Sequence, residues 1–278
     1  MKNRKVAFVG GGNMTRAIAG GLIDSGFAPT DILISEPVEA SRISLANTFS
    51  GVIIADDNKD IVANVGCVVL SVKPQVLPAV CRDLRDAVQQ THPLIVSIAA
   101  GTRSADIDAW LGGGLSVIRI MPNQPALLRL GVSGLFANAR VSDEEREHAA
   151  GIIAAVGSVV YVEREQDIDA ITAVSGSGPA YFFLLIDMLT KTAIDLGIDE
   201  EAAKTLAIDT ANGAAALARS ESESMEALIA RVRSPGGTTA AALDSLENAG
   251  VRDIFSAAIT AGCNRAKTLA DQAHKSQD

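Results

Sequence analysis

The chain has 278 residues, 48% hydrophobic and 21% charged, the profile of a folded protein with room for one large or two medium domains. A formal net charge of −9, with no block of basic residues, argues against nucleic acid as a partner. Cys67, Cys81 and Cys263 form no C-x-x-C pair, so neither a disulfide framework nor a structural zinc site is expected, and a reducing cytoplasm fits.

The opening Met1-Lys2-Asn3-Arg4-Lys5 is basic, but the apolar run behind it is too short for a signal peptide. That run, Val6-Ala7-Phe8-Val9, passes straight into Gly10-Gly11-Gly12, and a helical pattern with Ala17, Ile18, Leu22 and Ile23 follows. Strand, tight turn and helix start are the context in which a Gly-x-Gly-x-x-Gly motif binds a dinucleotide. Gly10 makes the turn, and Gly12 lets the backbone approach a pyrophosphate near Asn13 and Met14 at the helix N-terminus. The third position is Thr15, so the fingerprint departs from its usual form there. The alternative is a glycine turn that only packs its helix closely.

Strands are expected next at 31–35, 52–55, 68–72, 94–98, 116–120, 132–136 and 159–162. Helices are expected at 38–49, 60–65 and 144–156, with another beginning at Pro74. Strands alternating with helices predict right-handed βαβ units, hence an α/β fold with a doubly wound, mostly parallel sheet. Glu36, ending the second strand, is placed for a ribose 2′-hydroxyl. Leu70-Ser71-Val72-Lys73-Pro74 is a strand end that puts Val72, Lys73 and Pro74 beside a cofactor, or else an exposed turn. After the 116–120 strand, Pro122 and Pro125 make a rigid exit holding Asn123, which offers a donor and an acceptor to a carboxamide or ribose, or simply makes a surface turn.

Past about Glu163 no strand remains, and helices are expected at 168–174, 178–196, 200–219, 225–232, 239–249 and 253–272. The chain therefore reads as a Rossmann-type domain over 1–163 and an all-helical domain over 164–278. The 178–196 helix carries Tyr181, Phe182, Phe183, Leu184, Leu185, Ile186, Met188 and Leu189 on nearly every face. Burial against a second subunit is the expectation, with a monomer core as the alternative. The apolar run stops at Asp187, too short to span a bilayer. Two breakers, Ser175-Gly176-Ser177-Gly178-Pro179-Ala180 and Arg233-Ser234-Pro235-Gly236-Gly237-Thr238-Thr239, each end in a helix N-terminus rich in hydroxyls. Such ends hold a carboxylate by backbone N–H groups, or are capped interhelical turns. His92, His148 and His274 fall outside every candidate site, and no HExxH, G-x-S-x-G or metal-ligand cluster is present. Hydrolase and metal chemistry thus lack visible apparatus, whereas hydride transfer needs mainly positioning.

Six landmarks in order resemble the pyrroline-5-carboxylate reductase family. They are Phe8-Val9-Gly10-Gly11-Gly12-Asn13-Met14, Ser71-Val72-Lys73-Pro74-Gln75, Val96-Ser97-Ile98-Ala99-Ala100-Gly101, Met121-Pro122-Asn123-Gln124-Pro125-Ala126, the 170–181 stretch ending Ser-Gly-Ser-Gly-Pro-Ala-Tyr, and Ser234-Pro235-Gly236-Gly237-Thr238-Thr239. The resemblance implies NADPH- or NADH-dependent reduction of 1-pyrroline-5-carboxylate to L-proline, the last step of proline biosynthesis. It also implies a helical domain that dimerises, with dimers often forming rings. Cofactor contacts at Gly10, Gly12, Asn13, Met14, Glu36, Val72, Lys73, Pro74, Ala99, Ala100, Gly101, Pro122 and Asn123 follow from the motifs and the resemblance together. The resemblance implies that the N–H groups of Gly237, Thr238 and Thr239, with Ser234 and the neighbouring Gly236, hold the substrate carboxylate, and Ser177 joins the substrate site. The Thr239 hydroxyl then meets the ring nitrogen and orients it, so Thr239 and Ser234 are the expected catalytic pair. Gln124 stands where the family usually has Thr, and Arg233 where many members have a small or thiol residue. Glu36 favours NADH, whereas the resemblance points to NADPH. Two other readings compete. A β-hydroxyacid dehydrogenase would need a lysine base, but Lys191 lies far from the start of its helix. A non-catalytic NAD(P) sensor would have no use for a carboxylate cradle.

Overall fold

The computed structural model describes residues 5–275, with side chains to residue 272. The opening residues 1–4 and the His274 side chain lie outside the described residues. The chain divides into two compact units, Met1–Ser177 with Gly262–Asp278, and Gly178–Ala261.

The first unit is built on one sheet of eight strands: β1 (Val6–Val9), β2 (Ile32–Ser35), β3 (Ile53–Ala55), β4 (Cys67–Leu70), β5 (Leu94–Ser97), β6 (Val117–Met121), β7 (Gly131–Ala137) and β8 (Gly157–Tyr161). Their order is β3-β2-β1-β4-β5-β6-β7-β8. The first six strands pair parallel in the 3-2-1-4-5-6 arrangement of a dinucleotide fold. β7 runs antiparallel to β6, because the connection over 122–130 is too short for a crossover helix. β8 returns parallel to β7 after α6 (Asp143–Ala154).

β1, β2, β4 and β5 are buried throughout, as strands covered on both faces must be. Alternate residues of β1 feed opposite cores. Val6 and Phe8 pack with Ile18 and Leu22 of α1 (Asn13–Asp24) and Ile153 of α6. Ala7 and Val9 pack with Leu77 and Leu84 of α4 (Leu77–Thr91) and Trp110 of α5 (Ser104–Trp110). The α6 N-terminus closes with a capping box, in which Glu145 N–H donates to Ser142 Oγ at 3.2 Å and Ser142 N–H donates to the Glu145 carboxylate at 2.8 Å.

Sequence alone starts a helix at Pro74, yet α4 starts at Leu77. The Val76 N–H donates to Lys73 O at 3.1 Å, closing a turn first, and Pro78 takes the first-turn position. α5 is too short for a periodic signal and has no counterpart among the expected helices. Composition changes near Glu163, where the strands stop. α7 (Asp167–Ile171) nonetheless stays with the sheet: Ile168 is buried, and Ile171 sits where a Cβ on Gly134 of β7 would stand, 2.4 Å away.

The second unit contains α8 (Gly178–Asp195), α9 (Glu200–Ser220), α10 (Met225–Val232), α11 (Thr238–Asn248) and the first part of α12 (Val251–Lys275). Asp199 caps α9 by accepting from the N–H groups of Glu201 and Ala202, and Ser224 caps α10 through Ala227 N–H. The expected breaker at Ser175–Ala180 is not an interhelical turn. Thr172–Gly176 is one π-helical turn between α7 and α8, with Ser177 N–H donating to Thr172 O at 2.9 Å. The backbone groups are therefore spent along a helical path instead of standing open as a helix N-terminus.

Within one chain α8 is not covered: Phe182, Phe183 and Leu184 are each about three-fifths exposed, and Met188 and Leu189 are also open. The helical unit by itself gives this helix no core. The helical run 167–195 is, by length and composition alone, apolar enough to cross a membrane, with Asp187 lying inside it.

Candidate active site

Parallel pairing puts the C-terminal ends of β1, β2, β4, β5 and β6 on one edge of the sheet, and the strand order reverses between β1 and β4. The glycine loop crosses this switch point. Gly10 has φ +105°, and a Cβ there would lie 2.9 Å from the Ser71 carbonyl oxygen. No other residue fits so close to the β4 exit, which joins the Gly10–Thr15 loop physically to Ser71–Pro74. Gly12 is the N-cap of α1, without a capping side chain and with open space where a Cβ would stand. The first N–H groups of α1, at Asn13 and Met14, are thus offered outward beside a clear surface, the arrangement that takes a phosphate. Thr15, the departure from the fingerprint, is fully buried and donates its hydroxyl to Gly10 O at 2.6 Å. It braces the loop from within.

Glu36 stands directly after β2 and turns its carboxylate onto the loop. One oxygen accepts from Gly11 N–H at 3.1 Å, the other from Val38 N–H at 3.0 Å. A carboxylate has about four lone-pair sites, so acceptor capacity remains for a ribose hydroxyl. Arg42 donates to the carbonyls of Glu36 and Pro37, and Arg16 to Ser41 O and Ser44 Oγ, which sets two guanidinium groups around this strand end.

Along the same edge, Lys73 is exposed and Pro74 half-buried after β4, and Ala99, Ala100 and Gly101 follow β5. Ala99 N–H donates to Ser97 Oγ at 3.3 Å, and Gly101 has φ +64°. Pro122 and Asn123 leave β6 buried. Asn123 spends half of its amide within this unit. Its Nδ2 donates to Ser175 O at 3.1 Å, and its Oδ1 accepts from Val132 N–H at 3.0 Å. The side chain ties the β6 exit to the start of β7 and to the π turn, with one N–H and one lone pair of the amide left over.

In the second unit, Ser234–Gly237 leads into α11. Gly236 has φ +69°, and Gly237 is an N-cap with φ −83° and no capping side chain. Gly237 N–H donates to Ser234 O at 3.0 Å, so it is not among the groups left for a carboxylate. The free donors are the first-turn N–H groups of Thr238 and Thr239, with Ser234 exposed beside them. Arg233, a departure from the family pattern, pairs with Asp244 at 2.5 Å. Its charge is thereby balanced on α11.

Sequence reasoning misses one cluster altogether. Arg119 of β6 is 4% exposed and pairs with Glu165 at 2.9 Å, while Ser104 donates to that carboxylate from both N–H and Oγ, at 2.6 and 2.8 Å. A lone arginine in an apolar strand is its only linear signal. Burial pushes the Cys67 thiol up, and the Cys81 thiol up to about 12, so neither is a nucleophile. Among the described residues, no group of three His, Cys, Asp or Glu is placed to hold a metal.

Two family models match the chain: "NADP oxidoreductase coenzyme F420-dependent" over residues 5–101, and "Pyrroline-5-carboxylate reductase dimerisation" over 165–269. A pyrroline-5-carboxylate reductase from Pseudomonas aeruginosa is 44% identical over 272 residues, covering 98% of this chain and 99% of that protein. Among solved structures, a pyrroline-5-carboxylate reductase from Coxiella burnetii superposes with TM-score 0.91 at 39% identity, covering 96% of this chain and 98% of the other. The Plasmodium falciparum enzyme, solved with NADP bound, superposes with TM-score 0.85 at 25% identity over 97% and 99% of the two chains.

Proposed function

Because the chain belongs to the pyrroline-5-carboxylate reductase family, we infer that it reduces 1-pyrroline-5-carboxylate to L-proline with NADPH or NADH, the closing step of proline, and so of amino-acid, biosynthesis. The observation that carries this oxidoreductase reading is the glycine loop. A left-handed Gly10 where any Cβ would fall 2.9 Å from Ser71 O, followed by a helix N-terminus with clear space at Gly12, fits a dinucleotide diphosphate.

When bound, the nicotinamide supplies the hydride that the imine carbon accepts. The chain's own residues do the positioning. N–H groups of Asn13 and Met14, reached past Gly10 and Gly12, hold the diphosphate, and the Glu36 carboxylate takes a ribose hydroxyl. Val72, Lys73, Pro74, Ala99, Ala100, Gly101, Pro122 and Asn123 line the strand ends along which the rest of the dinucleotide lies. In the substrate, a carboxylate sits beside a ring iminium. Ser234 Oγ and the N–H groups of Thr238 and Thr239 bind the carboxylate at the positive end of α11, and Gly236 gives the turn its left-handed bend. Thr239 Oγ1 orients the ring nitrogen. A threonine hydroxyl is a poor acid at neutral pH, so the proton that completes the amine arrives on the substrate iminium. Ser177 contributes through its hydroxyl, since its N–H is engaged.

The matched dimerisation module and the bare apolar surface of α8 support self-association as a homo-oligomer, a dimer at least; dimers assembling into rings are what the family resemblance adds. Three free thiols support a cytoplasmic setting. The purified protein should oxidise NADPH or NADH when 1-pyrroline-5-carboxylate is added and release L-proline, followed by absorbance and amino-acid analysis. Folded protein that binds the dinucleotide yet turns over with neither cofactor would overturn the assignment.

A further inference from the structure

The β5 exit, residues 98–104, carries Ala99, Ala100 and Gly101 along the strand edge, and residues remote in sequence fix its shape. At its far end Ser104 opens α5, where the first N–H groups of a helix have no intrahelical partner. Glu165 supplies one from 61 residues away: its carboxylate accepts from Ser104 N–H at 2.6 Å and from Ser104 Oγ at 2.8 Å. That carboxylate is itself aimed by Arg119 of β6, which is buried and donates to it at 2.9 Å. In the middle of the exit, Gly101 lies against α12. A Cβ on Gly101 would stand 3.2 Å from Leu269 Cβ and 3.8 Å from Ala270 N. Ala266 and Ala270, one turn apart on α12, are buried, and Asp271 pairs with Arg103 of the exit. The segment that makes these contacts is a return: the chain leaves the sheet unit after Ser177 and rejoins it at Gly262.

Within the exit, Ser97 Oγ accepts from Ala99 N–H at 3.3 Å, a long bond beside the three that Glu165 accepts at 2.6–2.9 Å. The tight contacts are therefore the remote ones. Burying an ion pair brings little net stability, since desolvation offsets the attraction. What the Arg119–Glu165 pair does bring is geometry, because both carboxylate oxygens fall on Ser104. We propose that Glu165 and the Ala270–Asp271 turn of α12 are positioning residues for the dinucleotide, acting through the β5 exit. Glu165 fixes where the exit meets α5, and α12 fixes the place of Gly101, so the peptide groups of Ala99–Gly101 meet the cofactor without rearranging. A loop already held in its bound shape is spared the ordering entropy that a free loop loses on binding. The proposal rests on the reading of Ala99–Gly101 as cofactor contacts.

The test is titration of the whole protein with NADPH and with NADH, read by the fluorescence of the reduced nicotinamide, beside steady-state kinetics. For the dinucleotide that the parent binds more tightly, Glu165→Gln and Ala270→Leu should each raise Kd and KM about fivefold or more, while kcat at saturation stays within about twofold. Ser104→Ala removes one donor and leaves the ion pair, so it should raise Kd by about two- to threefold. Val88→Ala opens a cavity in the core at α4; it should lower the urea midpoint and leave Kd unchanged, which separates lost stability from lost position. Should Glu165→Gln fail to fold, Ala270→Leu and Ser104→Ala decide the matter. Folded variants that bind the dinucleotide as the parent does overturn the proposal, as does a loss confined to kcat, or a Val88→Ala protein whose Kd rises as far as theirs. A folded parent that binds neither NADPH nor NADH overturns the dinucleotide reading itself, and the proposal with it.

Discussion

Glu36 shows how much one side chain can decide. It is a single residue at the end of β2, with its carboxylate already lodged on Gly11 N–H. A 2′-phosphate brought to about 4 Å from it would meet a repulsion of roughly 4 kcal/mol per unit charge at an effective dielectric near 20. Glu36→Ala should therefore raise the NADPH-to-NADH ratio of kcat/KM, with Arg42 and Arg16 close by to receive the phosphate. An unchanged ratio would mean that the carboxylate does not face the ribose. The Ser234–Thr239 turn makes a second residue-level statement. Thr239→Ala removes one hydrogen bond to a charged group, worth about 1.5–3 kcal/mol, and should lower kcat/KM roughly ten- to a hundredfold with little change in cofactor affinity. The left-handed residue of the turn is Gly236, at φ +69°, whereas Gly237 is extended at φ −83°. Gly236→Val should thus distort the turn more than the conservative Gly237→Ala, where an added Cβ meets Ser234 O at 3.1 Å. Parental kcat/KM in both Thr239→Ala and Gly236→Val would reduce the turn to a connector.

At the level of elements, α8 departs furthest from what one chain can satisfy. Its mean composition asks for burial on nearly every side, yet Phe182, Phe183 and Leu184 stand open. Covering one such side chain is worth about 1.5–3 kcal/mol, and in a two-fold interface each substitution counts twice. Phe183→Glu should therefore weaken dimerisation by roughly two to four orders of magnitude, read by sedimentation velocity across a protein dilution series. A variant that sediments as the parent does would place Phe183 outside the interface. The π turn at Thr172–Gly176 is the opposite lesson. Ser-Gly-Ser-Gly-Pro reads locally as a breaker, because glycine and proline punctuate helices. Asn123 and the i−5 bond from Ser177 to Thr172 keep the chain helical there instead. Tertiary hydrogen bonds override propensity where they satisfy backbone groups that the breaker would have exposed.

For the molecule as a whole, the pH dependence of folding carries the mark of Asp169. Burial pushes its carboxyl above the ordinary range, with Arg119, Lys267 and Arg103 pulling the other way to a smaller extent. An acid whose folded pKa is raised binds its proton more tightly when folded, so its contribution to stability falls as pH rises through the carboxylate range. Asp169→Asn should then be more stable than the parent at neutral pH, and the difference should shrink as pH falls toward about 4, measured by urea unfolding. A gap that widens on acidification would contradict the burial argument. Much of the molecule was legible in the linear chain. The alternation of short apolar runs and helices dictates a doubly wound sheet, since strands without polar alternation need cover on both faces. Three glycines between Val9 and Asn13 dictate where a dinucleotide approaches, since local backbone geometry is written in local residues. Tertiary structure alone decided the rest. That half of the Asn123 amide is spent internally, that Gly237 N–H is spent on Ser234, and that Arg119, Glu165, Asp169 and Lys267 share a cavity all depend on residues far apart in sequence. Hydrogen bonds and charges act over a few ångströms of space, so their partners are known only once the chain has brought them together.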